Sequence, residues 1–485
     1  MPQVNRVLDR QPVASLREYL TAGGGAGLEA AAKLGAASTI EELSAAGLRG
    51  RGGAGFPTGT KWATVLENRP AGAPLTVVVN AAEGEPGTFK DRTLIRTNPF
   101  RILEGALIAA RTLDAQRVIV ALKASFQTEI GLMDSAIAAA TTEGWIEGLE
   151  VTTFGGPEEY LLGEETGLLE AIEGRPPFPR VSPPYRRGLD SSGADNAGSA
   201  DKALADSAGA GTGAAPTLIN NAETFAHVAM ILANGADWFR SEGTDASPGT
   251  VVCTVSGNTK RHGVGEFPMG TPLSEVIETL GGLPSPGTAF VAASSGVANP
   301  LLPASRFDTP LGYDELESAG TAIGAAGFIV FDDSVDIVAV VAGISRFLAV
   351  ESCGQCTPCK RDGLGLADLL GEMSRSLTGD RAEAVLVELT DRVRTVSEEA
   401  RCYLAHQQEA VVGSLLSLFP DHLKQRAAGG LAAVEPLDIA PISDIDEGRA
   451  VLDRRQSTKQ PDWTHNETDS AKWPAQQADI SQGET

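Results

Sequence analysis

The sequence predicts an α/β domain, then a small α+β module, then an all-α bundle. In the first half of the chain, short β-branched runs alternate with longer amphipathic stretches, which is typical of a doubly wound sheet. Glycine and proline turns separate short strand-like runs between residues 250 and 331. From residue 334 onward the apolar residues recur with helical spacing. A chain of 485 residues is long enough for two or three such domains.

The first domain is expected to span residues 1–245. Its predicted strands are residues 75–79, 117–122 and 149–153, and its predicted helices include residues 102–110 and 126–140. Ligands of a doubly wound sheet bind beyond the carboxyl ends of its strands. The loops that follow these strands are therefore the first candidates for a binding site.

The α+β module is expected at residues 250–331 and the helical domain at residues 334–426. The module's predicted elements are strands at residues 250–255, 289–293 and 327–331 with one helix at 272–280. Ser334 is the expected N-cap of the first bundle helix. Further helical stretches are expected near residues 364–373, 382–396 and 404–419.

Two segments show no sustained period. Residues 190–215 consist mostly of Asp, Ala, Gly and Ser, which predicts a solvated low-complexity insertion. Residues 427–485 are rich in polar residues, proline and acid, so we expect a tail that is disordered or that binds in a groove of this chain or of a partner. Trp463 and Trp473 favour the groove, because tryptophan is unusual in a purely disordered segment.

Composition excludes several classes of protein. The net charge of −24 leaves no basic excess with which to bind a nucleic acid backbone. No apolar run reaches the roughly eighteen residues that a membrane helix needs, and the first residues lack the apolar core of a signal peptide. The five cysteines are too few and too unevenly placed for a disulfide framework. We therefore expect a cytoplasmic protein with no nucleic-acid partner and no direct membrane insertion.

Four of the cysteines form one pattern. Cys353, Cys356 and Cys359 are spaced as C-x2-C-x2-C, and Cys402 follows well downstream. Three thiolates on one short loop can converge on one face of a metal cluster, and a distant fourth can close the site. The closely spaced triplet is typical of a [4Fe–4S] cluster, which indicates electron transfer. Cys253 stands alone in a strand-like run, where a cysteine is usually a small buried hydrophobe.

Two other interpretations of these cysteines stay open from spacing alone. Zinc more often takes cysteines as separate C-x2-C pairs or together with histidine, but it is one alternative. Buried cysteines that bind nothing are the other.

A second motif is the glycine-rich stretch RGRGGAGFPTGTKW at residues 49–62. Its glycines allow positive φ and let backbone N–H groups approach a ligand closely. Arg51 and Lys61 add positive charge, and Phe56 adds a stacking surface. The spacing is neither G-x-G-x-x-G after a strand nor a Walker loop, so an ordinary glycine-rich surface loop is the alternative.

Three further loops carry polar groups that a cofactor could use. Residues 80–88, NAAEGEPGT, begin where the first clear strand ends. Residues 162–170 place two adjacent acids after a glycine, and residues 216–224 place Asn220 and Asn221 before a predicted helix. Paired amides can donate and accept in one plane, as the edge of a heterocycle requires. Taken singly, each loop could equally be a capped turn or a solvated face.

Together these motifs resemble one family. Its members are the NADH-binding, flavin-bearing subunit of bacterial complex I and the related diaphorase subunits of NAD-dependent formate dehydrogenases and hydrogenases. The segments that carry the resemblance, in the family's order, are residues 49–62, 80–92, 163–173, 216–224 and 351–359. The resemblance covers roughly residues 40–420. It implies a Rossmann-like FMN/NADH domain, a β-grasp ligand-binding module and a four-helix [4Fe–4S] domain.

The resemblance also implies roles for individual residues. Those that would hold FMN are Gly50, Gly52, Lys61, Asn80, Asn220, Asn221 and Thr224, with Arg51 on the same loop. Those that would line the flavin and the nicotinamide are Glu83, Glu85, Gly163, Glu164 and Glu165, with Glu83 and Glu165 as the catalytic carboxylates. Phe56 and Tyr185 would face the adenine of NAD(H). The cluster ligands would be Cys353, Cys356, Cys359 and Cys402.

The function that the resemblance implies is that of an NADH dehydrogenase, or diaphorase, subunit. NADH would give a hydride to FMN, and single electrons would pass to the [4Fe–4S] cluster and on to a partner. That partner would be an iron–sulfur protein, either a thioredoxin-like [2Fe–2S] subunit or a ferredoxin-like subunit, in a hetero-oligomeric complex. Ala82 replaces an acid of the family and Thr64 an aromatic residue. These departures leave a non-catalytic structural subunit with a degenerate nucleotide pocket as the alternative.

Overall fold

The structure is a computed structural model that describes residues 3–189, 215–377 and 379–461. The low-complexity insertion expected at residues 190–215 lies outside the described residues, except for Ala215. The end of the tail, with Trp463 and Trp473, lies outside them as well.

A four-stranded parallel sheet forms the centre of the first region. Its strands are β1 (Thr76–Asn80), β2 (Arg117–Lys123), β3 (Glu150–Gly156) and β4 (Thr217–Asn221). The strand order is β3-β2-β1-β4, and each neighbouring pair is parallel. The chain winds from β1 to β3 on one side and then returns to the other side of β1. The first three strands agree with the prediction, whereas the sequence analysis did not predict β4.

Helices surround this sheet. They are α1 (Leu16–Thr21), α2 (Ala26–Ala46), α3 (Thr58–Glu67), α4 (Lys90–Thr97), α5 (Pro99–Thr112), α6 (Gln127–Thr142), α7 (Glu165–Ile172), α8 (Ala222–Asn234) and α9 (Ala236–Arg240). Alternate residues of β1 enter different cores. Val77 and Val79 pack in the main core with α2, α5 and α8, whereas Val78 packs with α7 on the opposite face. The sheet is therefore covered on both faces, as its continuous apolar strands require.

Helix α5 is buried along almost its whole length. Asn98 caps it by accepting a hydrogen bond from the backbone N–H of Arg101, and Pro99 occupies its first turn. A Cβ at Gly105 would lie 1.9 Å from the carbonyl oxygen of Phe225. Only glycine therefore allows α5 and α8 to pack this closely and bring the end of β4 beside β1.

A five-stranded mixed sheet forms the second region. Its strands are β5 (Thr250–Gly257), β6 (Gly263–Pro268), β7 (Phe290–Ser295), β8 (Leu302–Pro303) and β9 (Gly327–Asp332). The order is β6-β5-β9-β7-β8, in which β5 and β9 are parallel and the other pairs antiparallel. Helix α10 (Leu273–Leu280) agrees with the prediction. A second helix, α11 (Tyr313–Ser318), differs from the expectation of one helix, because a six-residue helix is too short to show periodicity.

The third region is helical. It contains α12 (Ile337–Glu351), α13 (Thr357–Ser376), α14 (Asp380–Thr395), α15 (Leu404–Leu418) and α16 (Pro420–Ala427). The carboxylate of Asp336, not the expected Ser334, caps α12 by accepting the N–H groups of Val338 and Ala339. Ser334 lies too early for this role and instead donates its hydroxyl to Asp332.

Residues 431–461, which we call the C-terminal strap, run back across the molecule. The N–H of Leu437 donates to the carbonyl of Ala339 on α12 at 2.9 Å. A hairpin of β10 (Ile442–Asp446) and β11 (Arg449–Leu452) follows. This part of the expected tail is therefore ordered, because it packs along its own chain. No helix among the described residues is long and apolar enough to cross a bilayer.

Candidate functional site

The carboxyl ends of β1 and β4 meet at one edge of the parallel sheet. Asn80 and Asn221 are the last residues of these strands and pair in register. The direction of winding reverses between the two strands, and open α/β sheets bind ligands in the crevice at such a point. The loops after β1 and β4 therefore form the candidate site, as the sequence predicted for the loop after β1.

The two adjacent amides have different surroundings. The side-chain oxygen of Asn221 accepts from Lys90 Nζ at 3.0 Å, and its nitrogen donates to Asp91 at 2.7 Å. Asn220 is buried, and its Oδ1 has no hydrogen-bond partner among the residues that the structure describes. An unpaired buried amide oxygen costs free energy unless a ligand satisfies it. Asn220 is therefore the amide that suits a ligand donor, whereas Asn221 organises the edge of the sheet.

The glycine-rich loop lies over this edge. The N–H of Gly50 donates to the carbonyl of Phe56 at 2.9 Å, which closes the loop. A Cβ at Gly52 would lie 3.2 Å from Cβ of Asn221, so the loop backbone touches the asparagine pair. Gly53 has φ of 132°, which an L side chain rarely adopts. The ring of Phe56 is 51% exposed, which leaves an aromatic face available to a planar ligand.

Arg51 and Thr224 hold this loop in place. The N–H of Arg51 donates to the hydroxyl of Thr224 at 2.9 Å. The guanidinium of Arg51 is buried and donates to the carbonyl of Thr250 at 2.9 Å and to the hydroxyl of Tyr313 at 2.8 Å. Its charge therefore faces the second region and not the crevice. The structure gives Arg51 a role as a clamp, because protein oxygens already accept from its donors.

Lys61 and the acids that follow residue 163 meet at the start of α7. Lys61 Nζ pairs with the carboxylate of Glu165, and the two side chains are 25% and 40% exposed. Glu164 instead caps α7, since its carboxylate accepts the N–H groups of Thr166 at 3.0 Å and Gly167 at 2.7 Å. Burial raises the pKa of Glu164 above its ordinary value. Of the two adjacent acids, only Glu165 is placed to meet a ligand.

The two acids after β1 also diverge. Glu83 accepts the N–H of Lys90 at 2.8 Å at the start of α4, where the helix dipole favours an anion. Glu85 accepts the N–H of Val297 at 2.6 Å and pairs with the hydroxyl of Tyr160. Burial raises the pKa of each carboxyl to about 7. Glu83 is therefore a helix cap, and Glu85 connects the loop after β1 to the short helical turn at residues 160–163.

Sequence reasoning missed Tyr160 and Lys90. The hydroxyl of Tyr160 lies between Glu85 and Gln407, with the amide nitrogen of Gln407 at 3.2 Å. Lys90 is fully buried beneath the asparagine pair and forms an ion pair with Glu223 at 2.8 Å. A single tyrosine a few residues before a glycine is a common pattern. A lysine at the start of a helix is common as well. Neither is specific without the fold that surrounds it.

The departures from the family pattern are visible in the site. Ala82 is buried, and its N–H donates to the side chain of Asn80 at 3.2 Å, so only the backbone supplies polarity there. Thr64 uses its hydroxyl to bond Thr60 within α3. Tyr185 is half-buried against the main core.

The second candidate site is formed by cysteines. Cys353, Cys356, Cys359 and Cys402 line one small cavity, together with Leu161. Three helix ends bring them together. Cys353 follows the end of α12, Cys356 is the N-cap of α13 with Cys359 in its first turn, and Cys402 precedes α15. Cys253 is buried in the core of the second region and takes no part.

Hydrogen-bond donors already face the thiols. The amide nitrogen of Gln355 lies 3.4 Å from Sγ of Cys353, and the N–H of Arg401 lies 3.4 Å from Sγ of Cys356. Such donors stabilise bound thiolates and tune a cluster. Burial raises the pKa of Cys359 to about 11, so this thiol needs a nearby positive centre in order to ionise.

The four cysteines do not form a ready-made site for a single ion. Within the described ranges, no three His, Cys, Asp or Glu side chains are arranged to hold one metal ion, and this includes the four cysteines. A zinc ion would need its sulfurs about 2.3 Å from one centre. The four thiols share one cavity but are not arranged as a single-ion site.

Comparison with known proteins identifies the family. The F subunit of the NADH-quinone oxidoreductase of Rickettsia typhi is 35% identical over 397 residues, which cover 80% of this chain and 88% of the relative. The F subunit numbered 2 of the same enzyme in Rhizobium meliloti is 38% identical over 335 residues, which cover 67% and 74%. The chain belongs to the family of NADH-quinone oxidoreductase F subunits. The resemblance noted in the sequence is therefore confirmed.

Family models and a solved structure agree with this membership. Residues 43–230 match the Nuo51 FMN-binding domain, residues 252–296 the SLBB domain, and residues 339–426 the NADH-ubiquinone oxidoreductase-F iron-sulfur binding region. The crystal structure of an NAD⁺-reducing [NiFe]-hydrogenase in the H₂-reduced state superposes with a TM-score of 0.71 at 30% identity. That match covers 89% of this chain and 68% of the other.

The residues present fit the groups that this oxidoreductase family binds. The orphaned Asn220 oxygen and the glycine backbone over the asparagine pair suit the polar edge of a flavin. The four cysteine donors around one cavity suit a [4Fe–4S] cluster. FMN, NADH and [4Fe–4S] are the cofactors of this NADH dehydrogenase module.

Proposed function

We propose that this chain is the NADH-oxidising subunit of a hetero-oligomeric complex and acts as an NADH:acceptor oxidoreductase. The observation that carries the proposal is a wall shared by the two candidate sites. The side-chain amide of Asn80 donates a hydrogen bond at 2.8 Å to the carbonyl of Gly163, in the turn at residues 160–163. Leu161 of the same turn lines the cysteine cavity. One short turn therefore separates the flavin crevice from the cluster cavity.

When bound, FMN and [4Fe–4S] supply acceptance of a hydride from NADH and then transfer of its electrons one at a time. The chain's part is to bind, orient and exclude water. Gly50 and Gly52 offer close backbone approach to FMN, and Asn220 offers its unpaired oxygen. Asn80, Asn221 and Thr224 hold the surrounding loops, and Lys61 supplies positive charge.

For NADH, we propose that Phe56 and Tyr185 offer aromatic faces to the adenine. Glu165 is proposed to lie beside the nicotinamide, because it is the more exposed of the two acids at α7. Glu85 and Gly163 are proposed to line the same space, whereas Glu83 and Glu164 support it through the helices that they cap. Orienting nicotinamide over flavin is the main contribution that a protein makes to such a transfer.

The domain division remains a proposal. We assign FMN and NADH binding to residues 1–245, a β-grasp-like module to residues 250–331 and a four-helix [4Fe–4S] domain to residues 334–426. The four helices are the longer ones, α12 to α15, and the short α16 follows them. The helix order and the four cysteines at the ends of α12, α13 and α15 support the last assignment. The cluster ligands proposed are Cys353, Cys356, Cys359 and Cys402.

The proposed partner is a second iron–sulfur protein, of thioredoxin-like [2Fe–2S] or ferredoxin-like type. Cys253 is the one cysteine left over, which is too few for a second centre in this chain. Thiolate ligands persist in a reducing compartment, so we propose a cytoplasmic location, peripheral to any membrane complex.

Purification without oxygen tests the function directly. The visible spectrum should show flavin together with a broad iron–sulfur absorption, and NADH should bleach both. The isolated chain should reduce ferricyanide and fail to reduce quinone, and co-purification should recover an iron–sulfur partner. Protein that binds no flavin would support the non-catalytic alternative, and robust quinone reduction by the isolated chain would contradict the need for a partner.

A further inference from the structure

The C-terminal strap contacts all three regions of the molecule, although the family model for the iron–sulfur region ends at residue 426. Asp444 pairs with Arg96 of the first region at 2.7 Å. The N–H of Ala450 donates to Nδ1 of His262 in the second region at 2.7 Å. The strap then reaches the helical region through Lys459. It therefore lies beyond the residues that this family model matches.

Lys459, near the end of the strap, forms an ion pair with Glu351, the last residue of α12. Its Nζ lies 2.8 Å from one oxygen of Glu351 and 2.9 Å from the other. The side chain of Glu351 is 2% exposed and that of Lys459 is 25% exposed. Buried Lys123 adds an attraction to Glu351 from farther away, whereas Lys459 is in hydrogen-bond contact with it. Removal of Lys459 would leave the buried carboxylate without this close counter-charge, which is unfavourable.

Glu351 connects the strap to both candidate sites. Its Oε2 also accepts the N–H of Tyr160 at 2.9 Å, and Tyr160 begins the turn that the two sites share. The next residue along the chain, Ser352, has its hydroxyl 3.4 Å from Sγ of Cys359. The carboxylate therefore fixes the backbone on both sides of the cysteine cavity.

We infer that Lys459 is a positioning residue that sets the placement of the cysteine loop against the turn at residues 160–163. The inference rests on the proposed function for its meaning, since these two segments separate flavin from cluster. Lys459 touches neither cofactor site itself. It acts by holding Glu351, which in turn holds Tyr160 and the start of the cysteine loop. Without the strap, Glu351 would lose the positive charge of Lys459, and the turn and the cysteine loop would be held less firmly.

The test compares three variants of the full chain. Lys459→Met keeps the length of the stem and removes the charge, and Lys459→Arg keeps the charge. Lys424→Met is the matched control, because Lys424 pairs with Asp421 on the surface, where the side chains are 75% and 95% exposed. Hydrogen exchange of peptides that cover residues 157–163 and 351–356 is measured first on protein without cofactors. The midpoint potential and electron paramagnetic resonance spectrum of the reduced cluster are measured next.

Lys459→Met should exchange at least about tenfold faster in these two segments, while Lys459→Arg and Lys424→Met stay near the parent chain. In the loaded protein, Lys459→Met should alter the resonance spectrum and lower the midpoint potential, since one positive charge near the cysteine loop is lost. Unchanged exchange and an unchanged spectrum would overturn the inference. A uniform rise in exchange over the whole chain, without rescue by Lys459→Arg, would overturn it as well. Failure of the parent chain to bind flavin or iron would count against the proposed function alone, because the exchange comparison needs neither.

Discussion

The ammonium of Lys61 and the carboxylate of Glu165 form an ion pair between α3 and the first residue of α7, across 104 residues of chain. The family resemblance assigns one of them to FMN and the other to the nicotinamide. Their contact predicts that the two proposed subsites adjoin. A ligand that engages either side chain must share or replace this pair.

Glu165→Ala should lower the rate of ferricyanide reduction by NADH about tenfold, or roughly 1.4 kcal/mol of transition-state stabilisation. Its thermal midpoint should hardly change, because a partly exposed ion pair contributes only about 0–1 kcal/mol. Glu29→Ala, which removes an exposed carboxylate paired with Lys33, is the control. The parent chain should prefer NADH to NADPH. An unaffected Glu165→Ala variant or a clear preference for NADPH would contradict the assignment.

Asn220→Leu protein should lose FMN during purification. Its free energy of unfolding should differ from that of the parent chain by about 1 kcal/mol or less. The reason is that Oδ1 of Asn220 has no partner to lose within the described part of the chain. Asn98→Leu is the contrasting control, since Asn98 bonds both Arg101 and Asp9 and its loss should destabilise the fold without a specific loss of flavin. Chromatography of flavin released by acid decides the outcome. Recovery of FAD, or full FMN occupancy in Asn220→Leu, would show the prediction to be wrong.

Cys402→Ala should lose most of the iron and acid-labile sulfide, whereas Cys253→Ala should keep both. Cys402 lines the cavity with the cysteine triplet, and Cys253 lies in the core of the second region. Trimming a small buried side chain such as Cys253 should cost roughly 1 kcal/mol of stability. Iron and sulfide analysis of proteins purified without oxygen provides the measurement. Equal losses in the two variants would remove the basis for the ligand assignment.

Glu85 should make the folded state less stable as the pH rises. Burial raises its pKa in the folded protein from 4.5 to about 7. Between these two values the unfolded chain releases the proton first, so the free energy of unfolding falls over that interval and levels off above about pH 7. Glu85→Gln removes this contribution, and its thermal midpoint should fall less between pH 5 and pH 8. Glu147→Gln, at an exposed position, should follow the parent chain. Equal pH dependence in the parent and Glu85→Gln would refute the prediction.

Local patterns in the sequence were sufficient for much of the architecture. β-branched runs predicted β1, β2 and β3 because strands covered on both faces need continuous apolar residues. The triplet of cysteines with Cys402 predicted one site because loop spacing limits where thiolates can point. The glycine stretch and the asparagine pair were recognised because their residue types are costly or unusual outside a binding role.

Other features depend on contacts between residues far apart in the chain. The sequence could not show that β4 lies beside β1, that Arg51 faces the second region or that Glu83 caps α4, because each partner comes from another element. The sequence left two expectations for the strap, disorder or binding in a groove, and could not decide between them for the same reason. Its polar residues form ion pairs, but these pairs exist only when α4, α12 and the second region are assembled.

The sequence by itself determined the order of the three regions, the pattern of four cysteines and the family, because these follow from residue type and spacing along the chain. The tertiary structure alone decided which polar groups face a ligand and which hold the fold. Asn220 and Asn221 illustrate the difference, since adjacent identical side chains differ only in what surrounds them. A side chain's role depends on whether its hydrogen bonds are already satisfied, and that is a property of packing in three dimensions.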